Sequence, residues 1–150
     1  MNPTFTIRTI GPEDITEALA LQLADLATQL RGKEPIPVTV EWLTALVAFP
    51  MTWLLVAEAP ETGAIGMLTL SALPRVTGWI PWIEGVVVDE AARGQGIGKA
   101  LLEQAVELAT AQGFDSVNLS SRPHREAANA LYESLGFELV PTNYRRRYLR

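Results

Sequence analysis

The sequence of 150 residues contains no cysteine and a single histidine, His124. Without cysteine, the chain has no disulfide, no thiolate nucleophile and no cysteine-ligated zinc or iron–sulfur cluster. One histidine is too few for a histidine-rich metal site, so we expect no metal. A cysteine acyl-enzyme and a histidine-based metal centre are therefore excluded before any motif is considered.

The chain also lacks a long apolar run, a signal sequence and an excess of basic charge. Its most apolar stretch, residues 43–57, is shorter than the ~18 residues of a membrane helix and contains Pro50. The first residues carry no basic segment followed by an apolar one, so we expect a cytoplasmic protein with no membrane partner. Seventeen acidic residues against twelve basic ones give a net charge of −5, which disfavours nucleic acid as a partner.

Hydrophobic residues make up 48% of the chain and charged residues 19%, which predicts one compact domain over residues 1–150. The charge is unevenly distributed. Residues 1–92 hold 11 acids and 4 bases (−7), whereas residues 93–150 hold 6 acids and 8 bases (+2). This asymmetry fits an anionic ligand on the second part and a cationic one on the first. Alternatively, the four arginines among the last six residues belong to a solvated terminal strand.

The spacing of apolar residues and the positions of Pro and Gly predict a mixed sheet with helices on its faces. The predicted strands are 5–9, 53–59, 64–72, 79–88, 116–121, 137–140 and 144–149. The predicted helices run from Pro12 to before Gly32, from Thr39 to before Pro50, from Gly96 to Gly113, and over 125–135. Hairpin strands followed by strand–helix–strand units indicate the α/β fold class.

A glycine loop, Arg93–Lys99, lies between a buried strand and an amphipathic helix. Glycines let a backbone approach a phosphate closely, and a helix N-terminus offers unpaired N–H groups, so the loop predicts an anion site. It is not a P-loop, because Arg93 and Ala100 stand where that motif needs Gly and Ser or Thr. Nor is it a dinucleotide fingerprint, because Lys99 and Leu101 stand where the third Gly would be.

What remains resembles the acyl-CoA-binding motif of the GCN5-related N-acetyltransferase (GNAT) superfamily. The resembling residues are Val86-Val87-Val88-Asp89, then Arg93-Gly94-Gln95-Gly96-Ile97-Gly98-Lys99, then a leucine-rich helix. A second block, residues 127–137, resembles the family's Asn-x-x-Tyr helix and the Gly-Phe that follows it. The resemblance implies a single N-acetyltransferase domain over 1–150 with acetyl-CoA as co-substrate. The implied fold is a three-layer α/β fold whose mixed, mostly antiparallel sheet carries helices on both faces.

The resemblance also implies which residues bind CoA. The pyrophosphate would be held by the backbone N–H groups of Gly94, Gln95, Gly96, Ile97, Gly98 and Lys99. Arg93 either contacts phosphate or braces the loop, and the Lys99 side chain either meets a phosphate or lies in solvent. The pantetheine would pair with the backbone of Val86, Val87 and Val88, where this strand splays from the next. These valines are equally explained as core residues.

Three further residues have implied roles near the reacting atoms. Asn129 would bond the pantetheine or its neighbouring loop, and Tyr132 would protonate the departing thiolate; alternatively, Tyr132 is a core aromatic. Glu84, the only acid in an apolar strand, would be the base or the amine anchor, and the alternative is a structural salt bridge with an arginine. Strand alternation predicts that Glu84 shares a face with Val86 and Val88.

Other polar and aromatic residues are weaker candidates. Trp79 and Trp82 either line an acceptor pocket or pack in a core or interface. His124 either touches the substrate or is an ordinary loop histidine, and Ser120 and Ser121 end a predicted strand where they would bond an acceptor. Neither serine has a base at a known spacing, so we expect direct transfer in a ternary complex rather than an acyl-enzyme.

The sequence thus predicts an acetyl-CoA-dependent N-acetyltransferase that acts on a small-molecule or peptide amine. The alternative is a non-catalytic acyl-CoA-binding domain with a regulatory or interaction role. The presence of both Glu84 and Tyr132 favours the enzyme. Exposed tryptophan and a terminal strand would permit a homodimer, and no motif identifies the acceptor.

Overall fold

The computed structural model describes residues 4–32 and 34–149. The backbone divides into two compact units, Met1–Ser120 and Ser121–Arg150, which we call the larger and the smaller unit. The strands are β1 (Thr6–Thr9), β2 (Thr52–Ala59), β3 (Gly63–Arg75) and β4 (Gly78–Val88). The helices are α1 (Glu17–Arg31), α2 (Val40–Ala48), α3 (Ile97–Ala111) and α4 (Glu126–Ser134). The predicted α/β fold class is confirmed.

Helix α1 follows from its capping residues and its leucine pattern. The Thr16 hydroxyl accepts a hydrogen bond from the Leu19 N–H at 3.1 Å, and Gly32 ends the helix in the left-handed conformation at φ +63°. The buried residues of this helix recur at helical spacing, so one side of it faces the sheet. They are Leu19, Ala20, Leu23 and Leu26. Helix α2 begins in the same way, with the predicted Thr39 as its cap.

The larger unit contains a four-stranded sheet in the order β1-β2-β3-β4, and every neighbouring pair is antiparallel. β4 therefore lies at one edge. Its outer side meets one residue of the following chain: a parallel bridge joins Trp82 to Asn118, with the Ile83 N–H donating to the Asn118 carbonyl at 2.8 Å.

Helices α1 and α3 lie on opposite faces of this sheet. Leu54 and Val56 of β2 belong to the same buried cluster as the leucines of α1. The neighbouring Ala57 pairs with Gly66, and a Cβ at Gly66 would lie 3.1 Å from the side chains of Ile97 and Leu101 on α3. Because successive residues of a strand point to opposite faces, the sheet has a helix layer on each side, as predicted.

An ion-pair cluster fixes the first strand at the other edge. Arg8 of β1 contacts both carboxylate oxygens of Glu58, at 3.0 and 2.8 Å, and Asp14 at 2.8 Å. The Gly11 N–H also donates to Asp14 at 2.8 Å. This hydrogen bond and the Arg8 guanidinium lower the pKa of Asp14. The cluster joins β1, β2 and the turn before α1.

Three predicted strands do not form. Within 116–121, only Asn118 pairs with β4, and residues 137–140 and 144–149 make no strand in the part of the chain that is described. Alternating apolar residues do not make a strand unless a neighbour completes the hydrogen-bond ladder. Leu139 and Leu149, the leucines of the last two predicted strands, are 98% and 88% exposed.

The smaller unit contains α4 and the terminal segment. Arg125 stands before the helix, and the Gly136 N–H closes it by donating to Glu133 at 3.0 Å. In the terminal segment, the Arg146 guanidinium lies 5.5 Å from the ring centre of Tyr144 and donates to its hydroxyl at 2.8 Å. Across the described ranges of both units, no helix is long and apolar enough to cross a membrane.

Candidate active site

The glycine loop adopts a conformation that only glycine takes readily. Gly94 and Gly96 have φ values of +80° and +79°, and a Cβ built at either would meet no atom within 4 Å. Gly96 caps α3, and the first bond of this helix runs from the Ala100 N–H to the Gly96 carbonyl at 3.0 Å. The N–H groups that precede Ala100 have no partner within the helix. The loop therefore presents free donors and open space to an anion, beside the positive end of the helix dipole.

The two basic side chains of the loop have partners of their own. The Arg93 guanidinium donates from Nε to the Val88 carbonyl at 3.3 Å, so it braces the loop against the end of β4. Lys99 lies 3.9 Å from Glu103, one turn along α3, and both side chains are exposed. Such an exposed pair is weak, and the Lys99 amine stays accessible to an anion.

A β-bulge interrupts β4 just before the valines. Leu68 of β3 stands opposite two residues, Gly85 and Val86, because the register shifts between the Thr69–Glu84 and Met67–Val87 pairs. Gly85 takes the positive φ of +66° that the bulge requires. A bulge bends its strand, and the bridge between Trp82 and Asn118 lies just before this bend.

The bulge overturns the predicted direction of Glu84. Glu84 pairs with Thr69 and Val87 with Met67, so both side chains lie on the α1 face of the sheet. Val88 pairs with Gly66 and lies on the α3 face, as does Val86. Glu84 therefore does not share a face with Val86 and Val88. The extra residue at Gly85 breaks the period of two on which the prediction relied.

Beyond the bulge, the outer edge of β4 is open. The Asp89 N–H donates inward to Ile65 on β3 at 2.8 Å, so strand alternation directs the backbone groups of Val88 and Val86 outward. Among the described residues, no strand pairs with this edge after the Asn118 bridge. Val87 differs, because its side chain is buried with the α1 cluster and its backbone faces β3. Arg93 already donates to the Val88 carbonyl, so an extended ligand with amide groups would meet the outward groups of Val86 and the N–H of Val88.

Glu84 itself is exposed, in the short interval between the Asn118 bridge and the open edge. In the described part of the larger unit no ion pair to Glu84 forms, so no arginine of that unit supplies the predicted structural salt bridge. Trp82 lies two residues earlier on the same face, whereas Trp79 lies on the opposite one. The structure therefore places Trp82, and not Trp79, beside the candidate carboxylate.

In the smaller unit, Tyr132 is buried and packs edge-to-face against Phe137, with ring centres 6.1 Å apart. Burial raises the pKa of Tyr132, and the nearby Arg125 charge opposes that shift more weakly. The phenol therefore stays protonated at neutral pH, as a proton donor must. Asn129, one turn before it, donates from its side chain to the Arg122 carbonyl at 3.0 Å. It thus holds the loop that leads into α4.

The remaining candidates, His124, Ser120 and Ser121, differ in how exposed they are. His124 and Ser120 are exposed, and Ser121 has a buried hydroxyl that no described residue satisfies. Sequence reasoning missed one residue of the larger unit, Gln29 of α1. Its side chain accepts a hydrogen bond from the Glu90 N–H at 3.0 Å, in the segment before the glycine loop. A glutamine on a helix carries no sequence signal for such a contact.

The family profile described as the acetyltransferase (GNAT) family matches residues 19–137. The chain belongs to the GNAT family. N-alpha-acetyltransferase RimI of Mycobacterium tuberculosis is 34% identical to this GNAT protein over 143 residues, covering 95% of this chain and 84% of that protein. Aminoglycoside N(6')-acetyltransferase type 1 of Klebsiella aerogenes is 31% identical over 104 residues, which cover 67% of this chain and 68% of the relative.

A solved acetyltransferase from Trypanosoma brucei superposes on this GNAT chain with a TM-score of 0.78 at 26% identity, covering 96% of this chain and 99% of that one. Several other curated relatives match over shorter segments, which cover between 15% and 37% of the length of those relatives. The predicted family and the predicted N-acetyltransferase class are confirmed. The glycine loop, the bulged strand and α4 all lie within the matched range.

Proposed function

We propose that this GNAT protein transfers an acetyl group from acetyl-CoA directly to an amine within a ternary complex. The observation that carries the proposal is the open edge of β4 at Val86 and Val88, which leads straight into a glycine loop with free N–H donors. The open edge fits an amide-bearing arm, and the loop fits the phosphates attached to it. Acetyl-CoA supplies the thioester that is attacked.

The protein's own groups would bind and orient this co-substrate. Backbone N–H groups of residues 94–99 would hold the pyrophosphate, with Lys99 as an accessible cation nearby. The backbone of Val86 and the N–H of Val88 would align the pantetheine, whereas Val87 serves the core. Because Arg93 already donates to Val88, its contribution is to hold the loop in this shape. Asn129 would act in the same way, through the loop that it holds before α4.

Glu84 and Tyr132 would move the protons. The protonated amine loses one proton to Glu84, directly or through water, and its neutral nitrogen then bonds to the acetyl carbon while the carbon–sulfur bond breaks and the sulfur leaves as a thiolate. The nitrogen loses its second proton to solvent as the amide forms. Tyr132, whose pKa is raised by burial, would donate its proton to the departing thiolate. Glu84 suits this role because it is exposed, and it lies on the α1 face at the start of the open edge.

Two acceptor classes deserve the first tests, because the relatives are named for an N-alpha-acetyltransferase and an aminoglycoside acetyltransferase. Peptides with free N-termini and aminoglycosides would be offered with acetyl-CoA, and release of free CoA would be followed with a thiol reagent. The protein contains no cysteine, so it contributes no background. Acceptor-dependent release supports the enzyme. Binding of acetyl-CoA without release across the panel would favour the alternative, a non-catalytic acyl-CoA-binding domain.

The proposal keeps one N-acetyltransferase domain over residues 1–150, in the cytoplasm, and allows a homodimer. Exposed apolar side chains at the β3–β4 tip, Leu73, Val76 and Trp79, are compatible with self-association. Light scattering after size-exclusion chromatography measures the assembly. A monomer at all concentrations would remove the homodimer and leave the catalytic proposal intact.

A further inference from the structure

Gln29, near the C-terminal end of α1, uses both ends of its side-chain amide. Its carbonyl accepts a hydrogen bond from the Glu90 N–H at 3.0 Å. Its nitrogen donates to Asp25 on the same helix at 2.9 Å and lies 3.4 Å from the Asp89 carboxylate. Asp89 in turn accepts from the Ala91 N–H at 3.2 Å, so one glutamine contacts both residues that follow β4.

The next residue of α1 lies close to the other end of the same segment. A Cβ on Gly85 would lie 4.0 Å from the Leu30 side chain. Two consecutive residues of the helix therefore reach the start and the end of residues 85–90, which contain the open edge. Helix α1 thus lies against both ends of the segment that leads into the glycine loop.

The glycine loop needs such support because its first four residues, 93–96, are exposed and two of its glycines have positive φ. Glycine-rich backbone loses much conformational freedom when it becomes ordered, and a ligand that orders a loop binds less tightly for that reason. Two contacts described above hold the loop to the sheet: Arg93 to Val88, and Asp89 to Ile65. The hydrogen bonds of Gln29 to Asp89 and Glu90 hold the same segment to α1.

We propose that Gln29 is a positioning residue, whose bonds to Glu90 and Asp89 hold the segment before the glycine loop in the conformation that binds acetyl-CoA. The inference rests on the proposed acetyl-CoA site. Gln29 touches neither the loop donors nor the open edge, and it acts through the segment that joins them. Through Gln29, the binding of acetyl-CoA would also depend on the position of α1.

The test compares two glutamines of the same helix. Gln22 accepts a hydrogen bond from the Ala64 N–H at 2.9 Å, so it ties α1 to β3 as Gln29 ties it to Glu90. We expect Gln29→Ala to weaken acetyl-CoA binding about three- to tenfold by titration calorimetry, the effect of about one hydrogen bond. Gln22→Ala should leave the dissociation constant unchanged. Hydrogen exchange at the Glu90 and Ala91 amides should accelerate in the first variant alone.

A second variant guards against a loss of folding. Gln29→Met keeps the length of the side chain but forms a hydrogen bond with neither Glu90 nor Asp89. It should therefore weaken acetyl-CoA binding to the same extent as Gln29→Ala. Wild-type affinity in both Gln29 variants would overturn the inference and leave the proposed function standing. Equal losses in the Gln29 and Gln22 variants would also overturn it, because they indicate a general effect of α1. A wild-type protein that binds no acetyl-CoA would overturn both.

Discussion

Replacing Gly96 with alanine tests the glycine loop at the start of α3. The left-handed conformation costs a residue with a Cβ about 1–2 kcal/mol, and the open space around Gly96 adds no collision. Gly113, just beyond the other end of the helix, has a φ of +82° and equally open surroundings. Gly113→Ala is therefore a matched control, with the same strain at a distance from the loop.

Both variants should lose stability and only one should lose affinity. A cost of 1–2 kcal/mol lowers the melting temperature of a chain this size by about 2–8 °C. The strained cap in Gly96→Ala also misdirects the N–H groups that follow it. A hydrogen bond to a charged group contributes about 1.5–3 kcal/mol, so loss of one would weaken acetyl-CoA binding by at least about tenfold.

Two measurements decide the outcome. Tryptophan fluorescence melts report stability, and titration calorimetry reports the dissociation constant of acetyl-CoA. If Gly96→Ala is as destabilised as Gly113→Ala but binds like the wild type, the anion is held elsewhere and the loop assignment is refuted. If neither variant is destabilised, the conformational argument itself is wrong.

Three further predictions concern titrating side chains. Tyr132→Phe should lower turnover about tenfold or more while acetyl-CoA affinity stays within about twofold, and wild-type rates at every pH would show that Tyr132 is not the acid. Glu84→Gln should remove the acidic limb of the pH–rate profile, and an unchanged limb rules it out as the base. The lowered pKa of Asp14, caused by Gly11 and Arg8, stabilises the fold above the usual aspartate pKa. In urea melts, Asp14→Asn should therefore be less stable than the wild type at neutral pH, with the gap closing as the pH falls through that lowered pKa; a gap that persists in acid contradicts this.

The elements that sequence predicted correctly depend on residues close together in the chain. The Thr39 cap, the Gly32 stop and the turn between β2 and β3 are local signals, and each was confirmed. A strand needs a partner supplied by another part of the chain. Residues 137–149 carry the alternation of strands, yet no described neighbour completes their ladder. Local pattern alone does not contain that information.

The same limit applies to the candidate site. The glycine loop was predicted because its conformation follows from its own residues, and the structure gives it free donors at a helix start. The direction of Glu84 was wrong because it depends on how β3 pairs across Gly85. Gln29 gave no signal at all, because its role depends on contact with a segment sixty residues away. The roles of Glu84 and Tyr132 stay predictions.

The bulge at Gly85 decides whether the protein or a ligand satisfies the outer backbone groups of β4. Along a regular strand, a neighbouring strand can continue its ladder over the whole edge and saturate every outward backbone group. Here, among the described residues, the pairing beside β4 is a single bridge between Trp82 and Asn118, which lies before the bulge. An unsaturated edge usually invites association with another chain, but here it is only a few residues long and ends at a braced loop. The bulge at this single glycine thus leaves the outward groups of Val86 and the N–H of Val88 available to hydrogen-bond a ligand.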